Sequence, residues 1–151
     1  MEIAKSLKQG FENLDFIPEK NRRAYLTQML KKAFSDDVDI EDIWAVLEPN
    51  AIDNLDSLYI NKPGSTIIGN FNPTLHNQNN KIVLDKKIEQ NPQNVYAKQI
   101  YKSVKENNLP IVSEPFYSIR SDRKNSKFMV ASIVYPIIQN GVFKGVIGMD
   151  I

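Results

Sequence analysis

The sequence contains no cysteine, which rules out disulfide staples, thiol nucleophiles and thiolate metal ligands together. It has a single histidine, His76, set in an Asn-rich stretch. A lone imidazole leaves carboxylates to supply any transition-metal site, so His76 reads as a solvated loop residue. Long apolar runs are also missing. Ile133 to Ile138 falls far short of the roughly 18 residues that a membrane span needs. Nor is there an excess of one charge: 19 Lys and Arg stand against 18 Asp and Glu, a net charge of +1. No global field therefore favours nucleic acid or an anionic membrane. The short basic clusters at Arg22-Arg23 and from Arg120 to Lys127 read as solvated faces or turns.

Catalytic and cofactor motifs are absent as well. Gly141, Gly145 and Gly148 lie inside a strand-like run, not between a strand and a helix, so they do not form a phosphate loop. The acidic stretch Asp36, Asp37, Asp39, Glu41 and Asp42 lacks the sixth-position glycine and twelfth-position glutamate of a calcium loop. Ser121 and Lys124 stand in Ser-x-x-Lys order with no companion motif. No set of nucleophile, base and orienting group can be assembled, and no cofactor or metal is expected. Met1 leads straight into an amphipathic segment without a signal peptide. The chain stops on a strand at Met149-Asp150-Ile151, which reads as a piece of something longer.

What is present patterns as an α+β domain. The 151 residues, 42% hydrophobic and 25% charged, suit one globular domain over 1–151. Ile3, Leu7, Phe11 and Leu14 recur at helical spacing. Pro18 suits the first turn of a second helix, with Tyr25, Leu26, Met29, Leu30, Ala33 and Phe34 on its stripe. These N-terminal helices fill 1–36. From 43 to 151 the pattern is mainly strand: Ile43–Leu47, Thr66–Phe71 and Ile82–Leu84, with a polar turn at Asp53–Asp56 and a loop at Asn77–Asn80. Asn91-Pro92 opens an inserted helix carrying Ala97, Ile100, Tyr101 and Val104. Three β runs follow, Ile111–Ile119, Lys127–Ile138 and Val142–Ile151. Asn140-Gly141 makes a tight primed turn between the last two, since that turn needs positive φ. The expected architecture is an antiparallel sheet of about five strands with the N-terminal helices packed on one face.

Two segments carry more than composition. The first is Trp44-Ala-Val-Leu-Glu48-Pro49-Asn50-Ala51-Ile52-Asp53-Asn54-Leu55-Asp56, followed by Gly69-Asn70-Phe71-Asn72-Pro73. The second joins Ser113-Glu114-Pro115-Phe116-Tyr117, Met129 to Ile137, and Asn140-Gly141 through Gly145, Gly148 and Asp150-Ile151. In this order they resemble the double Cache sensors, PAS-like extracytoplasmic domains of bacterial methyl-accepting chemotaxis proteins, over about 43–151. The resemblance implies the membrane-distal module of such a sensor, outside the membrane in a membrane-anchored parent, with a small molecule as partner and a homodimer allowed. It also implies a binding pocket of Trp44, Gln93, Tyr96, Phe116, Tyr117, Ser118 and Asp150. In members that bind amino acids, the residue matching Asp150 receives the ligand's ammonium. Those members carry Arg-x-Trp-Tyr where this chain has Gln93-Asn94-Val95-Tyr96, and Tyr-x-Asp where it has Phe116-Tyr117-Ser118. Losing the arginine removes a carboxylate clamp, so an amine or small polar metabolite ranks above a free α-amino acid. A histidine-kinase parent is the alternative reading, and a small α+β enzyme a more distant one.

Overall fold

The computed structural model describes residues 2–36, 39–119 and 127–151. Asp37, most of the basic cluster from Arg120 to Lys127, and the Ser121/Lys124 pair lie outside the described residues. Two helices lead, α1 (Glu2–Glu12) and α2 (Glu19–Ser35), with Pro18 just before the second. Among the described residues, eight strands, two short α-helices and one 3-10 turn at Asp56–Leu58 follow: β1 (Asp42–Leu47), β2 (Thr74–Gln78), β3 (Lys81–Leu84), α3 (Pro92–Tyr96), α4 (Gln99–Asn107), β4 (Ile111–Val112), β5 (Phe116–Ile119), β6 (Lys127–Val130), β7 (Ser132–Gln139) and β8 (Val142–Asp150). Six strands form one antiparallel sheet in the order β3-β2-β1-β8-β7-β4, while β5 and β6 pair separately.

The sheet has two dissimilar faces because side chains alternate along each strand. Ile43, Ala45 and Leu47 of β1, with Ile147 and Met149 of β8, join Leu7, Phe11, Leu26, Leu30 and Phe34 in one buried core. Helices α1 and α2 therefore cover that face, as their apolar stripes require. The opposite face carries Val46, Val134 and Val146, which pack with Tyr101 and Val104 of α4. The second face is only partly filled, and the candidate site lies there.

Four sequence expectations change. Thr66–Phe71 is not a strand but a tight bend held by two isolated bridges, Ser65 to Phe71 and Thr66 to Glu89. Gly69 sits at φ +91°, and a Cβ there would lie 1.9 Å from the Asp56 carbonyl oxygen. The Asn-rich loop is instead the end of β2 plus a two-residue turn, with Asn79 and Asn80 both at positive φ. Asn tolerates that region and so closes the β2–β3 hairpin, which places His76 half-buried on β2. The inserted helix breaks into α3 and α4 at Ala97-Lys98. The run Ile111–Ile119 divides at Ser113–Pro115 and Lys127–Ile138 at Ala131, so the sheet gains a sixth strand and a separate pair.

Arg23 is a further correction, since it is buried rather than solvated. Its Nε and one terminal nitrogen grip both oxygens of Asp53, at 2.8 and 3.1 Å, and that terminal nitrogen reaches Asp56 at 2.6 Å. The other terminal nitrogen donates to Ser65 Oγ and the Gly69 carbonyl. Asn50 and Asp56 exchange hydrogen bonds between side chain and backbone N–H in both directions. The Glu48-Pro49-Asn50 motif and its two trailing aspartates thus clasp helix α2 to the sheet.

Candidate functional site

A cavity of about 550 Å³ opens over the second face of the sheet. Its floor is Trp44 and Val46 of β1, Val146 and Asp150 of β8, Ser132 and Val134 of β7, and Thr74 of β2. Val95, Lys98, Ile100 and Tyr101 wall it from the α3–α4 side, Phe116 from β5, and Ser113, Asn72 and Glu89 from loops. Mostly apolar walls with a few placed polar groups are the usual make-up of a small-molecule site.

Asp150 is the focus of the floor. It stands half-buried at the end of β8, opposite Asp42 on one side and Ser132 on the other. The Trp44 indole N–H donates to its Oδ1 at 3.0 Å, and the Ser132 hydroxyl donates to the same oxygen at 2.6 Å. Oδ2 accepts no hydrogen bond among the described residues, so both donors fix the carboxylate through one oxygen, and the residue lines the cavity. Gly148 makes this arrangement: a Cβ there would come within 2.2 Å of the Trp44 ring. The indole lies flat on the bare glycine directly across the β1–β8 ladder.

The other expected residues divide. Trp44, Phe116 and Asp150 meet at the cavity. Tyr96 instead lines a narrow crevice beside it, donating to the Leu47 carbonyl at 2.7 Å and accepting from the Asn70 amide. Burial, reinforced by the negative charge of Glu48, pushes its phenol up to about 12. Gln93 is exposed on α3 and does not line the cavity. Tyr117 is 64% exposed, because alternation along β5 turns it away from Phe116. Ser118 is half-buried and lies beyond the lining. The sequence reading missed Ser132, Lys98, Glu89, Thr74 and Tyr101. Tyr101, expected on the inserted helix, lines the cavity as well. Its hydroxyl donates to Glu48 at 2.8 Å, and burial together with that bond holds its proton well above the usual phenol range.

No family model matches the chain. It is 25% identical over 146 residues to the methyl-accepting chemotaxis protein TlpQ of Pseudomonas aeruginosa, matching 90% of the chain and 20% of that protein. Its fold superposes on the extracellular domain of mmHK1S-Z2, a protein named as a histidine kinase, with a TM-score of 0.79 at 21% identity. That match covers 99% of this chain and 51% of the other. Methyl-accepting Chemotaxis protein X matches with a TM-score of 0.73 at 24% identity, over 99% and 54% of the two chains. The chain has the fold of a chemoreceptor sensory domain. The Campylobacter jejuni chemoreceptor Tlp3, solved with isoleucine bound, shares this sensory-domain fold with a TM-score of 0.60 at 16% identity, over 99% and 49%. The chain thus spans about half of the solved sensory domains it matches and a fifth of TlpQ. Among the described residues, no helix is long and apolar enough to cross a membrane.

Proposed function

We propose that the chain is the membrane-distal module of an extracytoplasmic sensor, holding a small amine-bearing metabolite in the cavity above Asp150. The observation that carries this reading is the carboxylate itself. Two donors fix Oδ1, Oδ2 accepts no hydrogen bond among the described residues, and the cavity that Asp150 lines has mostly apolar walls. A carboxylate so placed needs a donor to offset the water it has lost, and a ligand ammonium is a strong one. Gln93 stands outside the lining and offers no clamp for an α-carboxylate, and Lys98, the one cation in the lining among the described residues, lacks the planar fork of an arginine, which supports ranking amines above free α-amino acids.

Ligand occupancy acts by favouring one of two receptor states that bind it unequally. The parent is read as a methyl-accepting chemotaxis protein, on the relationship to TlpQ; a membrane anchor and an allowed homodimer rest on the sequence resemblance alone. The mmHK1S-Z2 match supports a histidine-kinase parent as the second reading. An enzyme is disfavoured. The Ser132 hydroxyl in the cavity is committed to Asp150, and no imidazole lines the site among the described residues.

A thermal-shift screen of amines, amino acids, carboxylates and purines identifies the ligand class, since a ligand at a hundred times its Kd adds about 2.7 kcal/mol of stability. Calorimetry of the best ligand then compares wild type with Asp150→Asn. A loss of roughly tenfold or more in affinity is expected. Unchanged affinity in the folded variant would make Asp150 structural and displace the site.

A further inference from the structure

Beside the main cavity lies a polar crevice of about 120 Å³, and the two share Asn72, Thr74 and Glu89 in their linings. The crevice adds Asp85 and Lys87. Its distance from Asp150 follows from the ladder. Asp150, Asp42 and His76 form one row across β8, β1 and β2, and Thr74 lies two residues along β2 from His76. Strand spacings of about 4.8 Å and rises of about 3.4 Å per residue put the Asp150 and Thr74 Cα atoms roughly 12 Å apart. Trp44, directly opposite Thr74, forms the apolar floor between them.

Two groups in the crevice are uncommitted. The backbone carbonyl of Thr74 and the backbone N–H of Asn72 are hydrogen-bonded, but the Thr74 hydroxyl and the Asn72 amide have no partner among the described residues. Each carboxylate there has one oxygen engaged. Asp85 accepts the Lys87 backbone N–H and Glu89 accepts that of Asn91, each at 2.8 Å. Charge then restricts the ligand. The linings of the two compartments together carry the carboxylates of Asp85, Glu89 and Asp150 and the ammonium groups of Lys87 and Lys98, a single excess negative charge. A monocation balances it, a dication overshoots, and a zwitterion leaves it standing.

We infer that Asn72 and Thr74 form a second subsite that takes a neutral hydrogen-bonding group, a carboxamide or a hydroxyl. This group is the far end of a ligand whose single ammonium sits on Asp150 and whose short apolar connector crosses Trp44. The inference rests on the sensor reading and narrows its ligand to amino amides and amino alcohols.

Four probes of one chain length test it by calorimetry: γ-aminobutyramide, γ-aminobutyrate, tetramethylenediamine and butylamine. The amide should bind about tenfold or more tightly than butylamine, and neither the acid nor the diamine should match it. In Thr74→Val, close to isosteric and suited to a strand, the amide should lose its advantage over butylamine when both are measured in the same variant. Thr74→Ser should restore the preference. The inference is overturned if the diamine or the acid binds most tightly, if the amide equals butylamine, if its advantage survives Thr74→Val, or if none of the four binds. Butylamine binding that still depends on Asp150 would leave the sensor reading intact even then. Binding that ignores Asp150→Asn would strike that reading instead.

Discussion

Taking the Arg23 guanidinium out of water is tolerable only because each of its five N–H groups finds an acceptor. The Tyr59 ring adds a face 3.9 Å from the guanidinium carbon. Deleting one partner leaves a buried charge unmet, so Asp53→Ala should lower unfolding stability by about 3–5 kcal/mol, read from the urea midpoint at constant slope. A variant as stable as wild type would show that the clasp contributes orientation and little energy. The sequence concealed this residue. Arg22 and Arg23 look alike as a basic pair, and both meet the returning chain 30 positions later, but Arg22 takes only the Ile52 carbonyl there while Arg23 is buried on the carboxylates of Asp53 and Asp56. Trp44 and Asp150 were easier to find, because a carboxylate in an apolar strand and a single tryptophan in a strand both stand out against their neighbours. Lys98 and Glu89 resemble every other exposed charge until the fold brings them to one cavity.

At the scale of elements, the Asn140-Gly141 turn was legible because both residues must adopt positive φ, as they do at 52° and 76°. Counting outward from that turn, however, sets Ser132 opposite Met149. The observed partner is Asp150, because the β7–β8 register slips by one residue near Ile137 and Ile138. Gly145 allows the slip. It takes φ +142°, and a Cβ there would approach the Val46 carbonyl to 2.3 Å. Bulges have weak sequence signatures, so the Ser132–Asp150 bond could not be read from the chain. Gly145→Ala should disturb both the ladder and the bond. We expect a lower melting temperature together with weaker binding of any Asp150-dependent ligand. A variant that loses stability but keeps affinity would separate the bulge from the site.

At the scale of the whole molecule, the α+β order, the helix-covered face and the closing hairpin followed from periodicity and turn chemistry. The broken helix and the detached β5–β6 pair depend on tertiary contacts that local pattern does not encode. Titration gives a global test. Unfolded tyrosine loses its proton near pH 10, whereas folded Tyr96 keeps it to about 12, and Tyr101 is shifted the same way. The folded state therefore holds more protons through this window, so the contribution to stability is complete below about pH 10 and is lost as pH rises toward 12. Thermal melts across that range should show a steeper decline for wild type than for Tyr96→Phe; equal slopes would remove Tyr96 from the account. The two-faced sheet has a further consequence. In β1 and β8, positions 44, 46, 146, 148 and 150 serve the cavity face, while 43, 45, 147 and 149 hold the helices. Two texts are interleaved letter by letter in the same strands. A lineage can rewrite the first and reshape the cavity, while the second goes on spelling the same scaffold.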